Sequence, residues 1–235
     1  MGIQQRLIEV RGRILRAVER SNRDKDTVRL LAVSKTQPVL NLHEAYLTGQ
    51  RAFAENRVQE WMEKNPLLPS DCEWHIVGRL QTNKVKYLNE RVALIHSLDR
   101  FSLLETLNEQ GQRRGLTWAT LVQVNIAGDS SKAGLAPEEV PDFLNSIGDY
   151  PNVRVQGFMT IGALEASLQE TREFFRQLRK LRDSLQSQKW TGVDLQELSM
   201  GMSRDFEAAI EEGATLVRVG RQIFGEREAK GFNSK

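Results

Sequence analysis

Short apolar runs alternate with helical patterns from residue 28 to the carboxyl end, and this repetition restricts the fold more than any single motif. Runs of strand character lie at 28–33, 51–54, 73–77, 92–96, 117–126, 153–158, 194–198 and 215–219. Helix punctuation recurs between them. Pro38 stands at a first helical turn with Gly49 past that helix, Asp99 precedes Phe101, Leu104 and Leu107 as an N-cap, and Pro137 leads into Glu138 and Glu139. The longest helix is predicted over 165–188, with Leu168, Phe175, Leu178, Leu181 and Leu185 at helical spacing and Arg172, Arg176, Arg179 and Arg182 on a solvated face. An extra amphipathic helix carrying Ile3, Leu7, Ile14 and Val18 precedes the first unit. Eight strand–helix units in 235 residues average about 29 residues each, close to the minimum for a right-handed parallel crossover. The predicted architecture is therefore α/β, a (β/α)8 barrel of TIM type forming one domain over 1–235. A doubly wound sheet usually has fewer strands and offers a Gly-x-Gly-x-x-Gly turn after its first one, where this chain has Ser34-Lys35-Thr36-Gln37.

Composition agrees with one large core, at 40% hydrophobic residues. The 33 basic and 31 acidic residues are interspersed, so no charged tail asks for nucleic acid or a membrane surface. Cys72 has no second cysteine to bridge to, and His43, His75 and His96 lie at no metal-site spacing. A reducing, cytoplasmic setting without a structural metal is expected. The amino terminus lacks the apolar core of a signal peptide, and no stretch approaches the roughly 18 apolar residues of a membrane span. A monomer is expected, because no long apolar surface segment calls for a mate.

In a barrel the strand carboxyl ends converge on one face, which carries the chemistry. Lys35 stands there after the first strand, a primary amine able to condense with an aldehyde or to hold a phosphate. The other ends carry Glu55-Asn56, Gly78-Arg79, Ser97, Asn125, Met159-Thr160, Ser199-Met200-Gly201 and Gly220-Arg221. Turns after strands seven and eight form the usual phosphate cradle of this architecture, through unpaired amides. Ser203 reads first as a helix N-cap. Arg218 shares a strand face with Leu216 and Gly220, and two readings stand for it: a salt bridge to a neighbour such as Glu197, or a fork for a heteroaromatic nitrogen or phosphate. An amine and a phosphate cup across one mouth match pyridoxal 5′-phosphate. His75, with no carboxylate partner identifiable nearby, reads as a packed strand histidine.

Leu31-Ala32-Val33-Ser34-Lys35-Thr36, Glu55-Asn56-Arg57-Val58-Gln59-Glu60, Trp74 to Lys84, Ile95-His96-Ser97-Leu98-Asp99, Val124-Asn125-Ile126 with Lys132-Ala133-Gly134-Leu135, Gly157 to Ile161, Leu198 to Ser203 and Val217 to Gly225 together resemble the pyridoxal phosphate homeostasis protein family. The resemblance runs in order from about residue 28 to 227. It implies an alanine-racemase-like barrel in which Lys35 carries the cofactor as an internal aldimine. It further implies Ser199 and the backbone around Gly201 and Gly220 at the phosphate, Asn56 beside the cofactor and Arg218 near the pyridine nitrogen. An arginine there leaves that nitrogen unprotonated and weakens the ring as an electron sink. The chain departs from the commonest pattern at Arg221, where threonine is frequent, and at Ala54, where glycine often precedes Glu-Asn.

The function so implied is that of a protein that holds pyridoxal phosphate and delivers it to apo-enzymes, keeping vitamin B6 and amino-acid pools balanced without classical turnover. The alternative is an amino-acid racemase. Two-base racemisation needs a second proton carrier opposite the lysine, which related racemases take from an added β-domain across a dimer. The chain ends at Lys235 after the eighth unit, and Tyr46, Tyr87 and Tyr150 fall away from the predicted rim, which favours the binding protein. A phosphosugar enzyme ranks last.

Overall fold

Helix α1 (Ile3–Arg20) precedes β1 (Arg29–Val33), and strand and helix then alternate. They run α2 (Val39–Leu47), β2 (Ala52–Glu55), α3 (Val58–Lys64), β3 (Glu73–Ile76), α4 (Thr82–Val85), β4 (Val92–Leu98), α5 (Phe101–Arg114), β5 (Trp118–Gln123), α6 (Val140–Ser146), β6 (Val153–Met159), α7 (Leu168–Gln186), β7 (Val193–Ser199), α8 (Phe206–Glu211), β8 (Leu216–Val219) and α9 (Arg221–Phe224). The computed structural model describes residues 1–129, 132–162 and 166–225. Position 165, where the sequence opens its longest helix, position 227 at the end of the family-like motifs, and 226–235 of the predicted domain lie outside the described residues.

Every strand pairs in parallel with its neighbour in sequence, and β8 pairs with β1, so the sheet closes into the eight-stranded barrel that the repeat predicts. Alternation along each strand separates two cores. Leu31, Ala54, Leu94, Leu121, Met159 and Leu216 fill the barrel interior. Ala32, Phe53, Trp74, Ile95, Val122, Phe158, Val217 and Val219 face outward into the larger core beneath the helices.

The helix after β8 is a single turn, and α1 makes up the deficit by packing against α8, α9 and α2. It buries Ile3, Leu7, Val10, Ile14, Ala17 and Val18, spaced three and four residues apart along one face. Polar contacts fasten its flanks: Arg6 Nε donates to the Ile223 carbonyl at 2.6 Å and Arg13 pairs with Glu207 at 2.8 Å. Each of these side chains except Ala17 contributes about 1.5–3 kcal/mol relative to exposure, so α1 is part of the fold rather than an appendage.

Local differences from the sequence expectation have physical causes. Strand β5 ends at Gln123, and Val124 beyond it pairs with Leu135 as an isolated bridge while its amide still reaches the Met159 carbonyl at 2.8 Å, although the apolar run continues to Ile126. Ser203 does not cap α8, which starts at Phe206 after Asp205; the Asp205 carboxylate accepts the Met202 amide at 2.5 Å. Asp99 does not cap α5 either, since its buried carboxylate is taken by the Arg79 and Arg100 side chains. Among the described residues, no helix is long and apolar enough to cross a membrane, and no cluster of three or more His, Cys, Asp or Glu is placed to hold a metal.

Candidate functional site

Lys35 sits half-buried in the turn after β1, where the Gln37 amide donates to the Ser34 carbonyl at 3.0 Å. Thr36 beside it has φ 64°. Left-handed backbone costs a non-glycine residue on the order of 1–2 kcal/mol, so the surrounding contacts must hold this turn in shape. Asn56, also half-buried, follows β2. It lines a cleft of about 810 Å³ together with Arg57, Gly78, Arg79, Leu80 and Arg100. Two of the cleft's three arginines are already engaged by Asp99.

Below the rim, a column of hydrogen-bonded groups runs through the barrel interior. Arg218 on β8 points inward, as its alternation with Val217 and Val219 requires. Its Nη1 donates to Ser199 Oγ at 2.6 Å and its Nη2 to the Thr160 carbonyl at 2.8 Å. Ser199 Oγ lies 2.9 Å from His96 Nδ1, and His96 Nε2 lies 2.9 Å from His75 Nδ1. All four side chains are buried.

A guanidinium only donates, so Ser199 Oγ accepts from Arg218; with a second lone pair and its own hydrogen it can meet His96 Nδ1 as donor or as acceptor. The tautomer of His96 sets that of His75 in turn, and the column ends at His75 Nε2. That atom has no hydrogen-bond partner; the nearest carboxylate, Glu73, stands 3.9 Å away. Both imidazoles are pushed towards neutrality by burial. His96 is held well below the usual histidine value by burial and then by the charges of His75 and Arg218, and His75 is lowered by burial against the opposing pull of Glu73. Burial brings Arg218 down to about 10, with Asp205 working against the shift, so it remains a cation at neutral pH.

The turns after β7 and β8 face this column from above. Gly201 has φ 88°, and a Cβ there would lie 2.5 Å from the Ala209 Cβ and 2.9 Å from the Phe206 Cα, so only glycine fits. Its carbonyl accepts the Arg218 amide at 3.0 Å, and Gln222 Nε2 donates to the Ser203 carbonyl at 2.6 Å, which ties the two turns together. Among the described residues, no protein acceptor pairs with the amides of Ser203, Arg221 or Gln222. All three lie in the two turns that Gln222 joins. The register Ala32↔Val219 sets Gly220 beside Val33, so the turn after β8 adjoins the strand that leads to Lys35.

Of the residues that the sequence singled out, Lys35, Asn56, Gly201 and Gly220 therefore occupy neighbouring turns of the rim. Ser199 and Arg218 lie beneath them, and the Ser199 hydroxyl is engaged within the column. Glu197 does not pair with Arg218; it binds Arg29 at 2.9 Å. The sequence reading passed over His96 and Thr160 as partners of these two residues. Inward positions on neighbouring strands were the available signal.

The sequence profile of the alanine racemase N-terminal domain family matches residues 11–228. The chain belongs to this family. Within the alanine racemase N-terminal domain family it is 44% identical to a pyridoxal phosphate homeostasis protein of Aquifex aeolicus, over 97% of this chain and 100% of the relative. The solved PipY protein of Synechococcus elongatus, with pyridoxal phosphate bound, is 38% identical at a TM-score of 0.82, over 95% of this chain and all of that one. An alanine racemase of Clostridium difficile shares the family fold at 16% identity and a TM-score of 0.66, with only 56% of its own chain covered.

Proposed function

We propose that this chain binds pyridoxal 5′-phosphate and serves in intracellular pyridoxal phosphate homeostasis. Arg218 carries the reading. It is a buried cation with no carboxylate in ion-pair range among the described residues, held by a hydroxyl and a carbonyl beneath a mouth that also presents Lys35 and the unpaired turn amides. Such a donor set suits a ligand with an aldehyde, a heteroaromatic nitrogen and a phosphate. When bound, pyridoxal phosphate supplies a reactive aldehyde on an electron-withdrawing ring. Lys35 furnishes the primary amine for covalent attachment. Arg218 offers its remaining N–H groups to the ring nitrogen, and because it keeps its proton it leaves that nitrogen unprotonated. The turns at Gly201 and Gly220 cradle the phosphate, with Ser199 fixing Arg218 below and Asn56 alongside.

The names of full-length relatives support the homeostasis role over racemisation, since the solved racemase is similar in fold alone. A second proton carrier opposite Lys35 has no candidate among the described tyrosines: Tyr46 lies on α2, Tyr87 follows α4 and Tyr150 precedes β6. Delivery to apo-enzymes, a monomeric state and a cytoplasmic setting belong to the same proposal.

Borohydride reduction of the pyridoxal phosphate-treated protein followed by peptide mass spectrometry tests it. The expected result is one adduct, on Lys35, with loss of both the adduct and its near-ultraviolet band in Lys35→Ala. Adducts scattered over surface lysines would overturn the binding assignment. Sustained racemisation of an amino-acid panel at rates of ordinary enzymes would overturn the homeostasis role.

A further inference from the structure

Three charged side chains, Glu55, Glu60 and Lys64, meet beneath the turn that carries Lys35, and cofactor binding as described above leaves them without a role. Lys64 is 6% exposed and Glu55 is fully buried. Lys64 Nζ donates to Glu55 Oε1 at 2.7 Å, to the Ser34 carbonyl at 2.8 Å and to Glu60 Oε2 at 3.1 Å, which uses all three ammonium hydrogens. The carboxylates then grip the residues on either side of Lys35. Glu55 Oε1 accepts the Ser34 hydroxyl at 2.7 Å, and Glu60 Oε2 accepts the Thr36 amide at 2.6 Å.

Local structure explains how the groups converge. Glu60 and Lys64 stand four residues apart on α3, on one helix face, while Glu55 closes β2 beside β1. Thr36 is held by this cluster in its left-handed conformation, at φ 64°. A buried ion pair is a poor device for stability alone, because desolvation offsets most of its Coulomb gain. What this one secures is the geometry of three consecutive residues. Glu55 Oε2 is buried without a partner, so the cluster gives up a hydrogen bond to keep that arrangement.

We propose that Glu55, Glu60 and Lys64 are positioning residues that lock the Ser34–Thr36 turn and so aim the Lys35 amine into the mouth. The proposal rests on the reading that Lys35 takes the aldehyde of pyridoxal phosphate. Its action is on the covalent step and leaves the phosphate cradle untouched, and this separates it from a merely structural role.

The experiment compares wild type with Glu60→Gln, Lys64→Met and the charge-compensated pair Glu55→Gln with Lys64→Met. Three quantities are measured: the apparent Kd and pH profile of the pyridoxal phosphate band, the Kd for an analogue lacking the aldehyde, and amide hydrogen exchange at Thr36 in cofactor-free protein. The expected result for Glu60→Gln is an apparent Kd for pyridoxal phosphate weaker by about tenfold, since misplaced reacting groups lose at least this much. Its pH profile should shift, Thr36 exchange should speed up, and binding of the aldehyde-free analogue should stay within about twofold, below the tenfold that corresponds to 1.4 kcal/mol. If Lys64→Met does not fold, Glu60→Gln decides alone, because that carboxylate is 22% exposed and its replacement leaves the Glu55–Lys64 pair intact. Unchanged covalent binding in the variants, or equal losses for the cofactor and its analogue, would overturn the positioning role and leave cofactor binding standing. A wild type that forms no Lys35 adduct would overturn both.

Discussion

His96 and Ser199 lie 2.9 Å apart at the centre of the barrel, although 103 positions separate them in the chain. Barrel closure brings β4 and β7 into reach across the interior, and the contact joins the Arg218 fork to the histidine pair. Ser199→Ala should therefore leave Arg218 Nη1 and His96 Nδ1 without partners in a site that water does not reach. Unsatisfied buried groups of this kind cost about 1–3 kcal/mol, which lowers Tm by about 2–12 °C for a chain of this length. Thermal denaturation of the cofactor-free variant checks it, and an unchanged Tm would contradict the column as drawn.

The histidine pair also sets an acid limit. Both imidazoles have folded values below the unfolded one of about 6.5. The unfolded chain therefore gains protons first as pH falls. The contribution of the pair is complete above about pH 6.5 and drains away below it, at up to about 2.7 kcal/mol per pH unit for two protons. Facing charges are Arg218 on one side and Arg29, Glu73 and Glu197 on the other. Glu55, whose carboxyl is raised by burial, works in the opposite sense. Denaturant midpoints measured between pH 7.5 and 5 should fall for wild type, and His96→Asn should reduce the slope by about half.

Much of this was legible beforehand, for reasons that particular residues make plain. Strand periodicity depends on burial on two faces, and Leu216, Val217, Arg218 and Val219 carry it without help from distant sequence. The rim followed from the same periodicity, because every strand delivers its last residues to one face. His75 is packed, as the sequence suggests for want of a carboxylate partner, but its hydrogen-bond partner is an imidazole on β4, where the register His75↔Leu94 places His96 on the same inward face. Lys64 was not singled out at all. Glu60 and Lys64 have the spacing of an ordinary solvent-exposed helix pair, and only the tertiary fold turns that face towards the Lys35 turn. Ser203 and Asp99 misled as caps because several polar side chains compete within a few residues of each helix start.

Arg218→Lys separates charge from geometry. A lysine ammonium keeps the positive charge, but it cannot span Ser199 Oγ and the Thr160 carbonyl with a planar fork while presenting further donors to a ligand. The expected outcome is pyridoxal phosphate binding weaker by at least about tenfold, the effect of one lost charge-assisted hydrogen bond. Titration of the cofactor band measures it, and inorganic phosphate competition should be much less affected, because the cradle amides belong to other residues.

Gly78 offers a test of the rim that involves no charged group. A Cβ at this position would stand 2.2 Å from the Asn56 carbonyl oxygen and 2.8 Å from the Asn56 Cα. Both are backbone atoms and cannot swing aside as the end of a side chain would, so in Gly78→Ala the turn after β2 must move. Overpacking of this kind costs about 1–3 kcal/mol. The displacement falls on the segment that places Asn56 at the mouth and joins it to Glu55 beneath. Reduced stability and weaker cofactor binding should therefore appear together in Gly78→Ala. By contrast, an alanine at exposed Arg57, one residue beyond Asn56, should leave Tm within about 0.5 kcal/mol equivalent of wild type. Thermal denaturation and cofactor titration on both variants distinguish a tightly stacked rim from a compliant one, and a fully stable Gly78→Ala would show that the β2 and β3 turns are not in fixed contact.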